Sequence, residues 1–331
     1  MNPMKHSLLT ASALSLVAMA PLSVMAQSGA IQVDGSSTVF PISEAFAEEY
    51  QNETGNRVVV GISGTGGGFK KFCRGETSFS GASRPIKNSE KELCAENGIE
   101  FVEMPVAMDA LAVIVHPQND WASCMTTDEL ATAYGPEAQG EVDNWNQINP
   151  DYPDRDLALF GAGTDSGTYD YFTFAVVGEE GASRGDFTAT EDDNITIQGV
   201  STNPNAMGFL GLAYVEENRS RVNAVEISYN GGDCVAPTTE TAGSGEYQPL
   251  TRPLFMYANA EDLKEDPQVL DFAEYMFNAD KAPQLVRETG YLALPDSAFD
   301  QGLAKIEAGT TGSYFDGGSE IGVSVSDLLS N

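Results

Sequence analysis

With 331 residues, 49 Asp and Glu against 17 Lys and Arg, and a formal net charge of −32, the chain is a poor partner for nucleic acid or an anionic membrane. Any anion it holds must be gripped by short-range hydrogen bonds, because the long-range field opposes its approach. The four cysteines form no C-x-x-C pair and His116 is the one histidine beyond the N-terminal stretch, so neither a metal nor a cofactor is expected.

The N-terminus has a basic start at Lys5 and His6, an apolar run from Leu8 to about Ala20, and Val24-Met25-Ala26 before Gln27. This pattern predicts a secretory signal peptide, residues 1–26, cleaved after Ala26. No cysteine stands at the cleavage point and no later run has the roughly 20 apolar residues of a membrane span. An exported, soluble protein of about 305 residues is therefore expected, with an acid excess like that of proteins adapted to high salt.

That length suits two domains. Strands are expected at residues 30–35 and 57–63, each followed by a helix, at 41–53 and from about 69 to 74. A helix around 89–97 and a long apolar strand, PVAMDALAVIVHP (105–117), come next. That strand is long enough to leave one domain for another, and PLTRPLFMYAN (249–259) reads as the return crossing. Between them lie a helix at 125–135 and a strand at 157–163; after them, DPQVLDFAEYMFN (266–278) has helical apolar spacing. Strands alternating with helices predict α/β domains with largely parallel sheets. The Gly- and Ser-rich stretches 231–245 and 310–319 read as loops. An even cysteine count in an exported chain predicts two disulfides; Cys73–Cys94 and Cys124–Cys234 are the expected pairs among three possible connectivities.

Three turns share one composition: GSSTVF (35–40), SGTGGGFKKF (63–72) and GTDSGTYDYF (163–172). Each sets glycines and hydroxyls before a helix. Glycine lets the backbone come close to a ligand, and the first N–H groups of a helix have no internal partner, so they favour an anion. Three such termini can surround one tetrahedral ion.

Together with SGASRPIK, PVAMDALAVIV and MGFLGLAYVEEN, in that order, these segments resemble the PstS family, the exported phosphate-binding proteins of the Pst ABC transporter. The resemblance covers essentially the whole mature chain. It implies an α/β, two-domain periplasmic solute-binding protein of type II, with mixed sheets, flanking helices and a ligand cleft between the domains. By position, residues 27–112 with 253–331 would form domain I, and 113–252 domain II. The implied partners are inorganic phosphate and a membrane ABC permease, and a monomer is expected. The implied phosphate ligands are Ser37 and Thr38, Thr65 with the N–H of Gly66, Ser83, and the Ser-Gly-Thr of Ser166, Gly167 and Thr168. Two positions depart from the family pattern. Arg84 stands where many members have the Asp that accepts the phosphate proton, and Ala162 where many have an Arg. Arg84 is therefore expected to supply the guanidinium, and Asp109 the acceptor.

Other readings fare worse. Asp165-Ser166-Gly167 matches an aspartic protease motif, but the second copy needed for a carboxylate dyad is missing. No G-x-S-x-G elbow is present, and His116 has no triad context. A binding protein without enzymatic activity is expected. Sulfate or arsenate is the alternative ligand, and a secreted phosphatase on the same scaffold the remaining alternative.

Overall fold

A computed structural model describes residues 29–323; the expected signal peptide lies outside them. In chain order the strands are β1 (Ile31–Gly35), β2 (Val58–Ile62), β3 (Phe79–Ala82), β4 (Phe101–Val115), β5 (Cys124–Thr126), β6 (Ala158–Ala162), β7 (Thr188–Thr190), β8 (Ala206–Gly211), β9 (Asn223–Ala224), β10 (Glu226–Ser228), β11 (Cys234–Val235), β12 (Thr251–Asn259) and β13 (Leu292–Ala293). The helices that matter here are α1 (Phe40–Thr54), α2 (Gly64–Phe72), α3 (Asn88–Glu96), α4 (Gly167–Val177), α5 (Asp193–Thr202), α6 (Thr239–Ser244) and α7 (Pro267–Met276).

One large mixed sheet runs in the order β2-β1-β3-β12-β4-β8-β6-β7, with β9 and β13 also pairing to β4. β1 is parallel to β2 and β3, whereas β12 is antiparallel to both β3 and β4. All fifteen residues of β4 are buried, as its nearly unbroken apolar sequence requires of a strand covered on both faces. At about 3.3 Å per residue such a strand spans roughly 50 Å. That is enough to serve two cores.

The buried apolar side chains do form two clusters. One joins Ile31, Phe46, Phe72, Val102, Phe255 and Phe272; the other joins Val113, Tyr134, Trp145, Phe172, Phe209 and Ile227. The changeover falls between Met108 and Ala110 on β4, and between Leu250 and Leu254 at β12. The molecule thus has two lobes joined by paired strands. α1 turns Ile42, Phe46 and Tyr50 into the first lobe and ends at Gly55 in the left-handed region. α7, though late in the chain, packs Val269, Phe272 and Met276 into that same lobe. Each lobe holds one disulfide, Cys73–Cys94 in the first and Cys124–Cys234 in the second.

Two segments differ from the sequence reading. α2 starts at Gly64, not near Phe69, so the glycine-rich turn is itself the helix's first turn. Residues 239–244, expected as loop, form α6: Thr238 caps it by accepting from Thr241 N, and Ala242 is buried in the second lobe. Small polar residues masked a short capped helix.

Candidate functional site

The three glycine–hydroxyl turns meet where the lobes touch. The first follows β1: Ser36 Oγ accepts from Thr38 N at 3.1 Å and Val39 N at 3.4 Å, which orients the entry to α1. Ser36 Oγ donates to Ser83 Oγ at 3.0 Å, and Ser83 lies 3.2 Å from Thr65 Oγ1, which also accepts from Ser83 N at 3.1 Å. From the second lobe, Ser166 caps α4 by accepting from Thr168 N at 3.1 Å. Thr168 Oγ1 then stands 3.1 Å from Thr38 Oγ1, across the cleft. Ser37, Thr38, Thr65, Ser83, Ser166 and Thr168 are all buried.

Gly167 is required by this closeness. A Cβ there would lie 2.6 Å from both Ser83 Oγ and Thr65 Oγ1, closer than side-chain carbons approach oxygen in native packing. Gly64 combines a φ of 75° with a similar approach, its Cβ position lying 2.5 Å from Asp165 O. Gly66 N–H, expected to face the ion, donates to Asp165 O at 2.8 Å.

The guanidinium at the centre of this cluster belongs to Arg252. It is fully buried. Nη2 donates to Thr168 Oγ1 at 2.8 Å and to Thr38 Oγ1 at 3.3 Å, and Nη1 to Gly167 O at 2.8 Å. Asp109 Oδ2 accepts from Nη2 at 3.1 Å and from Nε at 3.3 Å. The two residues are direct cross-strand partners in the β4–β12 register, on the segments that pass between the lobes. Neither charge would be tolerated there alone, since an unpaired buried ion is costly.

Arg84 does not present its guanidinium to this cluster, contrary to the sequence expectation. Nη1 and Nη2 each donate to Glu90 at 2.7 Å, Nε to Asp170 Oδ2 at 2.7 Å, and Nη1 also to Pro85 O at 3.0 Å. Glu90 is in α3 of the first lobe and Asp170 in α4 of the second, so Arg84 is a strut between them. Lys87 adds pairs to Asp170 at 2.9 Å and Glu180 at 3.3 Å, and Lys70 pairs with Asp165 at 2.6 Å on the other edge of α2. Asp109, expected as proton acceptor, pairs with Arg252. Sequence reading missed Arg252, although it is a lone cation in the apolar run PLTRPLF.

Burial pushes the carboxyls of Asp109 and Asp193 up to about 6, against the pull of Arg252 on both and of Ser37 on Asp193. Glu191, behind Asp165, is pushed to about 7, also mainly by burial. Raised carboxyl pKa values stabilise the fold fully below the unfolded value near 4, and that contribution is lost as pH rises through 6 to 7. The ligand-free protein is therefore expected to be more stable at pH 5.5 than at pH 7.5, by an amount on the order of 2 kcal/mol, and to melt at a higher temperature at the lower pH. A scanning calorimetry series giving the reverse order would contradict this assignment.

Chemically, the cluster is a set of hydroxyl donors around one planar cation, with the N-termini of α1, α2 and α4 converging on it. In the closed arrangement the hydroxyls bond one another. Admitting a tetrahedral anion means parting the turns and exchanging those neutral hydrogen bonds for charge-assisted ones, which are stronger.

The chain is similar in sequence and fold to known proteins. Residues 23–280 match the model of a PBP superfamily domain. Protein SphX of Synechococcus elongatus is 44% identical over 92% of this chain and 89% of its own. The phosphate-binding protein PstS of Staphylococcus saprophyticus is 33% identical, over 84% and 85% respectively. Among solved structures, a possible phosphate binding protein from Planctomyces limnophilus superposes with a TM-score of 0.62 at 44% identity, covering 85% of this chain and 99% of that one.

Proposed function

Because the chain belongs to the PBP superfamily and, within it, to the PstS family of phosphate-binding proteins of ABC transporters, we propose that it captures inorganic phosphate between its lobes and delivers it to a membrane permease. The observation that carries this reading is the convergence of Arg252 with Thr38 and Thr168, from opposite lobes, on one buried point. The lobes, which change over between Met108 and Ala110 on β4 and between Leu250 and Leu254 at β12, close on the ion; Ser37, Thr65, Ser83, Ser166 and Gly167 complete its surroundings. Arg252 takes the role that sequence assigned to Arg84. The protein acts in the periplasm after removal of residues 1–26, as a monomer, and carries out no covalent chemistry.

The affinity needs no unusual term. Hydrogen bonds to charged groups contribute roughly 1.5–3 kcal/mol each, and micromolar binding needs about 8 kcal/mol. Several such bonds leave a margin for parting and reclosing the turns.

Calorimetric titration of the mature protein with phosphate, sulfate and arsenate tests the reading. Phosphate should bind at micromolar or lower Kd, with sulfate much weaker. Tighter binding of sulfate would favour the alternative ligand, and release of phosphate from a chromogenic ester would favour an enzyme. Uptake by cells carrying the permease, lost on deletion of this protein, tests delivery.

A further inference from the structure

Residues 312–319 run from the first lobe to the second. Their root is fixed on β4: Gly312 N donates to Phe101 O at 2.9 Å, and the buried Glu103 accepts from Ser313 Oγ at 2.6 Å, Tyr314 N at 2.8 Å and Tyr257 OH at 2.6 Å. A carboxyl in such a place is costly without its donors, so Glu103 holds the segment down. Phe315 is buried in the first lobe's apolar cluster, edge-on to Phe255 at 5.5 Å, and Lys91 of α3 donates to its carbonyl at 2.7 Å. Asn88 Nδ2 donates to Asp316 O at 3.2 Å. The chain then turns at Gly317, whose φ is 99° and where a Cβ would meet the Asn88 amide. Ser319 N donates to Glu180 Oε1 at 2.9 Å, and Lys87, which precedes α3, pairs with the same carboxylate at 3.3 Å. Glu180 belongs to the second lobe: the next residue, Gly181, is tied to α4 by Thr173 Oγ1 and Tyr169 OH, both at 2.8 Å. Beyond Ser319, Val323 packs against the first lobe's cluster again.

We propose that this segment is a latch between the lobes: held to the first lobe on either side of Ser319, it grips the second through Glu180 and lets go before the cleft opens. This rests on the lobes parting to admit phosphate. The four residues from Phe315 to Ser319 reach at most about 14 Å, and the root at Glu103 and Phe315 leaves them little slack to follow Glu180 as it swings away. The grip is a charge-assisted hydrogen bond beside one partly exposed ion pair. It is strong enough to delay opening and weak enough to break without unfolding either core. None of the proposed phosphate ligands belongs to the latch, so its loss speeds release without removing a contact to the ion.

The test times phosphate release from the mature protein by stopped flow, with a fluorescent phosphate reporter trapping the freed ion. Glu180→Ala removes the acceptor and Ser319→Pro the donor N–H. Gly317→Val displaces the strap by another route should the proline disturb folding, and circular dichroism melts check each variant. Each should release phosphate at least fivefold faster than the parent. Glu180→Ala combined with Ser319→Pro should be no more than twofold faster than the faster single variant, because both break one contact. Glu320→Gln, an exposed neighbour on the same segment, should release at the parental rate. Rates within twofold of the parent in the single variants, effects that multiply in the double variant, or an equal rise in Glu320→Gln overturn the latch. A parent protein that binds no phosphate would sink the functional reading itself, and that outcome is seen before any variant is measured.

Discussion

Arg252→Ala is expected to weaken phosphate binding more than a hundredfold, about 2.7 kcal/mol. The change removes every guanidinium donor directed at Thr38 and Thr168, and a charge-assisted bond to an anion accounts for roughly 1.5–3 kcal/mol. It also strands Asp109, which is fully buried against Arg252. Breaking one side of such a pair costs about 3–5 kcal/mol of stability, so the variant should melt well below the parent. The double variant Arg252→Ala, Asp109→Ala separates the two effects. It should recover much of the stability and none of the affinity. Titration calorimetry and thermal melts on the three proteins check this, and affinity within threefold of the parent in Arg252→Ala would remove Arg252 from the site.

Gly167→Ala should split stability from binding in the other direction. Gly167 is the first residue of α4, where alanine is the better helix former by up to about 1 kcal/mol. Its methyl, however, would stand 2.6 Å from Ser83 Oγ and Thr65 Oγ1 and 3.1 Å from Arg84 Cγ, all in the opposite lobe. Parting the lobes would relieve that clash, since the contacting atoms lie across the cleft. We expect a melting temperature at least equal to the parent's, phosphate affinity reduced tenfold or more, and a smaller phosphate-induced decrease in the radius of gyration by X-ray scattering. Full compaction with parental affinity would show that the lobes do not close through this contact.

The parts of the site carried by turns were legible because their chemistry is local. Glycine next to Ser or Thr before a helix is on its own an ordinary cap, but the pattern recurs at three points, and Thr38, Thr65, Ser83, Ser166 and Thr168 do come together. Arg84 was expected as the cation because it sits in such a segment and Arg252 does not; the guanidinium that lies among the hydroxyls is that of Arg252. What decides between them is long-range pairing. Arg84 is saturated by Glu90, six residues away, and by Asp170, which belongs to the other lobe. A signal was present: Asp109 and Arg252 are lone opposite charges in the two apolar runs expected to cross between domains, and neither could be buried unpaired.

The placement of the ion pair on β4 and β12 has a mechanical consequence. These strands are hydrogen-bonded along most of β12, so the connection between the lobes is a strip of sheet and not a pair of slack tethers. When a sheet flexes, atoms near the bending line travel least and those at the ends of the lever arms travel most. Arg252 and Asp109 sit on that line, whereas Thr38 and Thr168 ride on opposite arms. The cation therefore keeps nearly one position while the walls swing. If the lobes close on phosphate as proposed, the anion meets the seat on the pivot before the walls, and charge is recognised before shape.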